Sequence, residues 1–242
     1  MRGLTTLGLA VRAGPTKRSL GSIERDYSLL RLHGGHTPRH ITTAVPQPSP
    51  DPTIPLSESF RSLMRLLPHP VVVCTALHPG PTPQPRAMTM SSVTSLSLDP
   101  TPLLSFNIKK PSRTLDALRA AGRFNVHVLA DDAGGARVAE WFSRGDAGRD
   151  PFVGIDGCGC VATIGGEGVE LRGRGVRRVL RCKVEELVGV RDHVIVVGEV
   201  EGILGGGVEG EAEAEAEGLG LAYADRGYRK IGDVIRKHLE EK

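Results

Sequence analysis

Nowhere in the 242 residues do eighteen apolar residues run together; the longest apolar runs, such as 70–77, are strand-sized. A helical membrane span is therefore not expected. Cysteine is scarce. Cys74, Cys158, Cys160 and Cys182 lack the density and spacing of a disulfide scaffold, and Cys158-Gly159-Cys160 has no His or Cys partners at metal-ligand spacing, so free thiols are expected. Excess charge is small too, at +3, and it belongs to residues 1–50, where seven Arg/Lys face only Glu24 and Asp26. The remainder is slightly acidic, which gives no reason to expect a nucleic-acid-binding body. No Gly-x-Gly-x-x-Gly turn joins a strand to a packing helix, which argues against a Rossmann dehydrogenase, and no Ser/His/Asp or Cys/His nucleophile set is legible.

What the chain does contain is an uneven succession of segments. Arg2, Arg12, Lys17, Arg18, Arg25 and Arg31 stand among small, apolar and hydroxyl residues, the composition of an organelle-targeting presequence drawn toward a negative-inside membrane. A mitochondrial destination is expected, the plainer alternative being a basic tail on a cytoplasmic protein. From Pro46 to Pro55 repeated prolines remove backbone donors and restrain their predecessors, so residues 1–56 read as leader and linker without stable structure. The folded domain is expected over 57–242. Ser57 or Ser59 is placed to cap a first helix with Phe60, Leu63, Met64 and Leu67 on one face, ended by Pro68 and Pro70.

Strand signals follow: Val71 to Leu77 as a buried strand, Ser91 to Leu98 alternating with period two, Leu103 to Ile108 and Phe124 to Leu129. Ser112 and Gly122 bracket a short helix with Leu115 and Leu118 inward, and a second helix is expected over 133–142. Two long strands, 175–190 and 193–204, joined at Arg191-Asp192, suit a barrel better than an open parallel sheet. The 205–218 segment, Gly-rich and then Glu-Ala repeated, has no apolar stripe to bury and reads as a flexible loop insertion.

Two stretches have chemical potential. From Met88 to Pro102 small hydroxyl residues would let backbone amides approach a planar heterocycle, although an ordinary Ser/Thr-rich edge strand has the same pattern. Asn107-Ile108-Lys109-Lys110-Pro111-Ser112-Arg113-Thr114 sets lysines and hydroxyls at a helix start, where amides and dipole favour a phosphate; a capped helix with solvated lysines is the plainer reading.

Taken in order, these segments resemble the flavin reductase-like family. The resemblance covers about residues 57–232: Phe60 to Arg65 and Pro70 to Ala76 resemble its opening helix and strand, Ser91 to Pro100 its flavin loop, and Leu103 to Thr114 its phosphate turn. Gly122 to Leu129, Asp192 to Val200 and Leu221 to Arg229 resemble three later strands. The resemblance implies a mainly β fold with flanking helices, the split β-barrel of the FMN-binding type. It implies that Met90, Ser91 and Ser92 line the isoalloxazine edge, and that Asn107, Lys110, Ser112 and Thr114 hold ribityl chain and phosphate. Phe124, Asn125 and Val126 would face the ring, His193 would sit beside the nicotinamide, and Tyr228 near the cleft mouth. The implied activity is hydride transfer from NADH or NADPH to FMN, with FAD as the other flavin, in a homodimer that can supply a partner oxygenase. The rival is a non-catalytic flavin-binding or assembly protein of mitochondria. The sequence departs from the family pattern at Pro100-Thr101-Pro102, in 144–170 and in 205–218, the last two bearing on access to the cleft.

Overall fold

The computed structural model describes residues 54–144, 150–166, 168–207 and 218–234. The leader, nearly all of the proline-rich linker and positions 208–217 of the Gly/Glu-Ala segment lie outside them. In chain order the elements are α1 (Leu56–Met64), β1 (His69–Pro70), β2 (Val72–His78), β3 (Gln84–Met90), β4 (Thr94–Ser97), β5 (Leu103–Lys109), α2 (Arg113–Ala121), β6 (Arg123–Leu129) and α3 (Ala133–Ser143). A 3-10 turn at Ile155–Cys158 follows, then β7 (Cys160–Gly165), β8 (Gly168–Gly173), β9 (Val176–Val190), β10 (His193–Gly205), β11 (Ala222–Ala224) and β12 (Gly227–Arg229).

Seven strands form one antiparallel sheet in the order β3-β2-β6-β9-β10-β5-β4, beside a β1-β11-β12 sheet and a β7-β8 hairpin. The sheet is not closed, since its edges β3 and β4 do not pair with each other among the described residues. Met90 at one edge and Leu104 near the other nevertheless share one core with Phe106, Phe124, Val126 and Val196. Leu115, Ala117 and Leu118 of α2 fill that core, each fully buried large side chain being worth roughly 1.5–3 kcal/mol.

The opposite face of the sheet has a second core. Val71, Val73 and Leu129 meet Val138, Ala139 and Phe142 of α3, Ile155 and Cys158 of the 3-10 turn, and Leu171 of β8. Burial on both faces explains why β2 reads as a continuous apolar run. It also explains the polar residues of that face: Asn125 Nδ2 donates to Val169 O at 3.0 Å, Thr75 Oγ1 donates to the same carbonyl, and Leu171 N donates to His127 Nε2 at 2.9 Å. These side chains latch β8 onto the sheet by meeting backbone groups that burial would otherwise leave unpaired.

Several sequence expectations change. α1 begins at Leu56 with Pro55 as its cap, whose carbonyl accepts from Glu58 N and Ser59 N, so neither serine caps it. None of its apolar side chains is buried, Phe60 being exposed by 60%, Leu63 by 58% and Met64 half-buried, and Leu67 lies beyond its end. β3 was absent from the sequence reading, as was the β7-β8 hairpin, and the closing Tyr/Arg strand is a hairpin turning at Asp225 and Arg226. Ser91 to Leu98 yields only the four-residue strand β4.

Candidate functional site

The amino end of α2 is built by local rules. Ser112 is extended, at φ −150°, and its Oγ accepts from Leu115 N at 3.2 Å, while Gly122 closes the helix in the left-handed region at φ 69°. The hydroxyl proton of Ser112 remains available as a donor. Pairing of β5 with β10 sets Lys109 opposite His193 and Asn107 opposite Ile195. Lys110 N donates to Asp192 O at 2.7 Å, tying the β9-β10 turn to the start of α2.

Asp192 Oδ1 lies 2.8 Å from His193 Nδ1, and Asp192 Oδ2 is 4.0 Å from Lys109 Nζ. The imidazole hydrogen bond is the chief reason the Asp192 carboxyl is held below its usual range. An Nδ1–H donor to Asp192 leaves Nε2 of His193 as the free ring nitrogen. Ser92 joins this end from the loop after β3, its Oγ accepting from Asn107 N at 2.9 Å.

From Ser92 the surface passes by one residue to a cavity of about 310 Å³ lined by Met90, Ser91, Glu140, Tyr223, Arg226 and Tyr228, among others. The Tyr228 ring meets Tyr223 edge-on at 5.6 Å. Burial pushes the Tyr228 phenol above its ordinary value, with Glu140 adding to it, so the phenol keeps its proton as a donor. Met90, Ser91 and Tyr228 are thus gathered at one end, and Ser92, Asn107, Lys110, Ser112 and His193 at the other. The Ser91-Ser92 step connects them.

Phe124, Asn125, Val126 and Thr114 do not join this track. Phe124 is 1% exposed and packs edge-on against Phe106 at 5.4 Å, Asn125 belongs to the β8 latch, and Val126 lies in the inner core. β6 is a central strand covered on both faces, so the side chains of these three are used in packing. Thr114, in the first turn of α2, is buried as well. His193 is not among the residues lining the Tyr228 cavity. The sequence reading missed Glu140, Tyr223 and Arg226 in that cavity and Asp192 as the orienting partner of His193. The Asp192-His193 dipeptide at a turn was the one available signal.

The α2 end suits a phosphate. Lys110 is exposed and has no ion pair among the described residues, and it stands with Lys109 beside the positive end of the helix dipole. The described residues contain no group of three or more His, Cys, Asp or Glu that could hold a metal ion.

A family model described as "Flavin reductase like domain" matches residues 64–232. A flavin reductase (NADPH) of Lentzea aerocolonigenes is 37% identical over 144 residues, spanning 60% of this chain and 78% of the relative. The reductase component of 4-hydroxyphenylacetate 3-monooxygenase from Thermus thermophilus is 34% identical over 149 residues, with 60% and 79% covered. Against a probable flavin reductase of Rhizobium meliloti, 30% identical, the match spans only 40% of that relative's length. Among solved structures, the NADH:FAD oxidoreductase of Streptomyces globisporus C-1027 superposes with a TM-score of 0.58 at 27% identity, covering 76% of this chain and 96% of that one. The chain belongs to the flavin reductase-like family.

Proposed function

We propose that this chain is an NAD(P)H:flavin oxidoreductase that holds FMN, or the FMN half of FAD, along the track from the Tyr228 cavity to the amino end of α2. The observation that carries the proposal is that pairing of β5 with β10, and the Ser92-Asn107 bond, tie a helix start bearing Lys110, a cation with no ion pair among the described residues, to the residue that follows Ser91 of the hydroxyl-lined cavity. That arrangement fits a ligand with a planar polar ring at one end and a phosphate at the other. Bound flavin would supply the hydride-accepting ring, and the chain supplies position and access.

In this reading Met90, Ser91 and Ser92 border the ring edge. Asn107, Lys110 and Ser112 hold the phosphate end, with Thr114 supporting the turn from within. Phe124, Asn125 and Val126 support the sheet beneath the site. His193, oriented by Asp192, presents Nε2 to the carboxamide of NADH or NADPH, and Tyr228 donates from its neutral phenol at the cavity mouth. Relatives named for NADPH, for NADH and as a monooxygenase component support nicotinamide as donor and an oxygenase as the partner that consumes reduced flavin.

Mixing purified protein with FMN and NADH or NADPH tests this: flavin absorbance should bleach with protein-dependent turnover. Binding without bleaching would leave a non-catalytic flavin-binding protein instead. Replacing Lys110 by Met should weaken FMN about tenfold, the worth of one hydrogen bond to a charged group, and leave riboflavin nearly unchanged. Equal loss for both ligands would place the phosphate elsewhere.

The homodimer belongs to the same proposal. An apolar groove of about 560 Å³ includes Pro70, Val72, Val93, Leu98, Leu103 and Leu221, with Leu98 itself 75% exposed. A second copy would cover it; a monomeric mass in solution with full flavin affinity would refute the pairing. The domain division at residue 57 and a mitochondrial destination for the leader rest on composition. Fusion of residues 1–50 to a fluorescent protein tests the destination, and a cytosolic signal would reject it. No described helix is long and apolar enough to cross a membrane.

A further inference from the structure

α3 presents a row of residues that the flavin track does not use. Arg137, Trp141 and the C-cap Arg144 stand at i, i+4 and i+7, so they share one face of the helix. All three line a cavity of about 440 Å³, whose walls also include Gly157 of the 3-10 turn and Tyr228 of β12. Glu140 and Tyr228 line both this cavity and the ring cavity of the flavin track, so the two share a wall. A nicotinamide dinucleotide whose reacting ring meets flavin in one cavity has a second nucleotide to place, and the other cavity adjoins it.

The lining has the parts that a nucleotide requires. Trp141 is half-buried, and its Nε1–H donates to Pro151 O at 2.8 Å, which fixes the plane of the indole. A Cβ at Gly157 would meet Trp141 Cζ3 at 3.8 Å and, beyond its chain neighbours, nothing else within 4 Å. Glycine at that position therefore leaves the space beside the six-membered ring open to a second flat ring, and a base stacks on an aromatic side chain whatever its identity. Glu140 is paired with Arg144 at 3.4 Å, which offsets the one carboxylate named in the wall. Arg137 has no hydrogen bond or ion pair among the described residues, so its guanidinium fork is the surplus positive charge of the cavity. Arg226, which lines the ring cavity, is likewise without a hydrogen bond or ion pair among the described residues.

We propose that this cavity takes the adenosine half of the hydride donor, with adenine against Trp141 and the 2′-phosphate of NADPH on Arg137, and that NADPH is therefore the preferred donor; the assignment rests on the reductase reading above. The shared wall at Glu140 and Tyr228 gives one dinucleotide a path between the two cavities, with Arg226 available to its diphosphate. Arg144 keeps Glu140 neutralised beside the bound phosphates. Discrimination against NADH then comes from one charge-assisted contact that only the 2′-phosphate can make, and the stacked base contributes equally to both donors.

Trp141 is the only tryptophan of the chain, so its fluorescence reads the cavity directly. In the full-length chain 2′,5′-ADP should quench it with a Kd about tenfold below that of 5′-AMP, as one hydrogen bond between charged groups provides. Raising the salt should weaken 2′,5′-ADP more than 5′-AMP on the unaltered chain, a readout that needs no variant. Arg137→Gln should bring the two nucleotides within about twofold of each other, and Gly157→Leu should weaken both by about tenfold by filling the space beside the indole. In flavin reduction KM for NADPH should lie about tenfold below KM for NADH, and Arg137→Gln should raise the former alone. No quenching, equal Kd for the two nucleotides, or a KM for NADH at or below that for NADPH would overturn the proposal, while bleaching of flavin by either donor would keep the reductase reading. Quenching by 2′,5′-ADP without bleaching by either donor would keep the nucleotide cavity and reject that reading.

Discussion

His127 offers the most direct test of the packing. It is fully buried, its Nδ1–H donates to Val73 O at 3.0 Å, and its Nε2 accepts from Leu171 N at 2.9 Å. Protonation would place a second N–H against the Leu171 amide in a fully buried site. Desolvation, the largest cause, lowers the imidazole from 6.5 to about 4, although the Val73 bond and the nearby Glu170 oppose the shift.

The unfolded chain therefore binds more protons than the folded chain between those values. The contribution to stability is complete above pH 6.5 and is lost as the pH falls toward 4. From the two values, about 2 kcal/mol should be gone at pH 5.0 and about 3 kcal/mol at pH 4.0, relative to pH 7.5. Glu170 would be raised by burial, but its bonds to Arg181 at 2.7 Å and Arg172 at 3.0 Å outweigh this and hold it low, so its own contribution is lost only below about pH 4.5. Measurement at pH 5.0 thus isolates the imidazole.

Urea unfolding at pH 7.5 and 5.0, followed by Trp141 fluorescence, reads both numbers. His127→Leu should cost roughly 2–6 kcal/mol at pH 7.5, because Val73 O and Leu171 N lose their partners, and should abolish the loss between the two pH values. A wild-type loss under about 0.5 kcal/mol, or an undiminished loss in the variant, would refute the reasoning.

Three further outcomes are expected. A Cβ at Gly198 would stand 2.4 Å from Phe124 Cζ, so Gly198→Ala should destabilise the chain by about 1–3 kcal/mol, read by thermal unfolding, by forcing that ring from its place in the inner core. His193→Ala should lower kcat/KM for NADH by roughly a hundredfold with FMN affinity nearly unchanged, as steady-state kinetics and flavin titration would show. An equal fall in flavin affinity would mean that the imidazole holds flavin and not nicotinamide. Arg181→Met should cost about 2–4 kcal/mol by chemical denaturation, because the buried Glu170 carboxylate keeps only Arg172; Glu170→Gln in the same background should recover part of the loss.

Features governed by neighbouring residues were legible. The cap of α2 at Ser112 and its stop at Gly122 each depend on backbone within four residues, and the β9-β10 hairpin follows from alternation on both sides of Arg191-Asp192. β3 escaped notice because Pro85 and Arg86 interrupt any apolar alternation, although the strand pairs residue for residue with β2. α1 shows the reverse case: its apolar periodicity is genuine, yet none of its side chains is buried, since period alone does not say what a face meets. The residues of the hydroxyl-rich stretch after Met88 divide between β3, a short loop and β4, because only Thr94–Ser97 finds a pairing partner in β5.

The sequence by itself determined the family, the mainly β class and the strand-to-helix turn at 107–114 with its Ser112 cap, because order of motifs, strand periodicity and helix capping are written in adjacent residues. Tertiary structure decided which side chains remain free to meet a ligand. Asn125 and His127 satisfy β8 backbone from 44 residues away, and Thr75 does so from 94 away. Burial on both faces of β6 takes Phe124 and Val126 into the core, while Glu140, Tyr223 and Tyr228 converge with Ser91. Such assignments depend on desolvation and pairing between distant strands, and those exist only after the chain has folded.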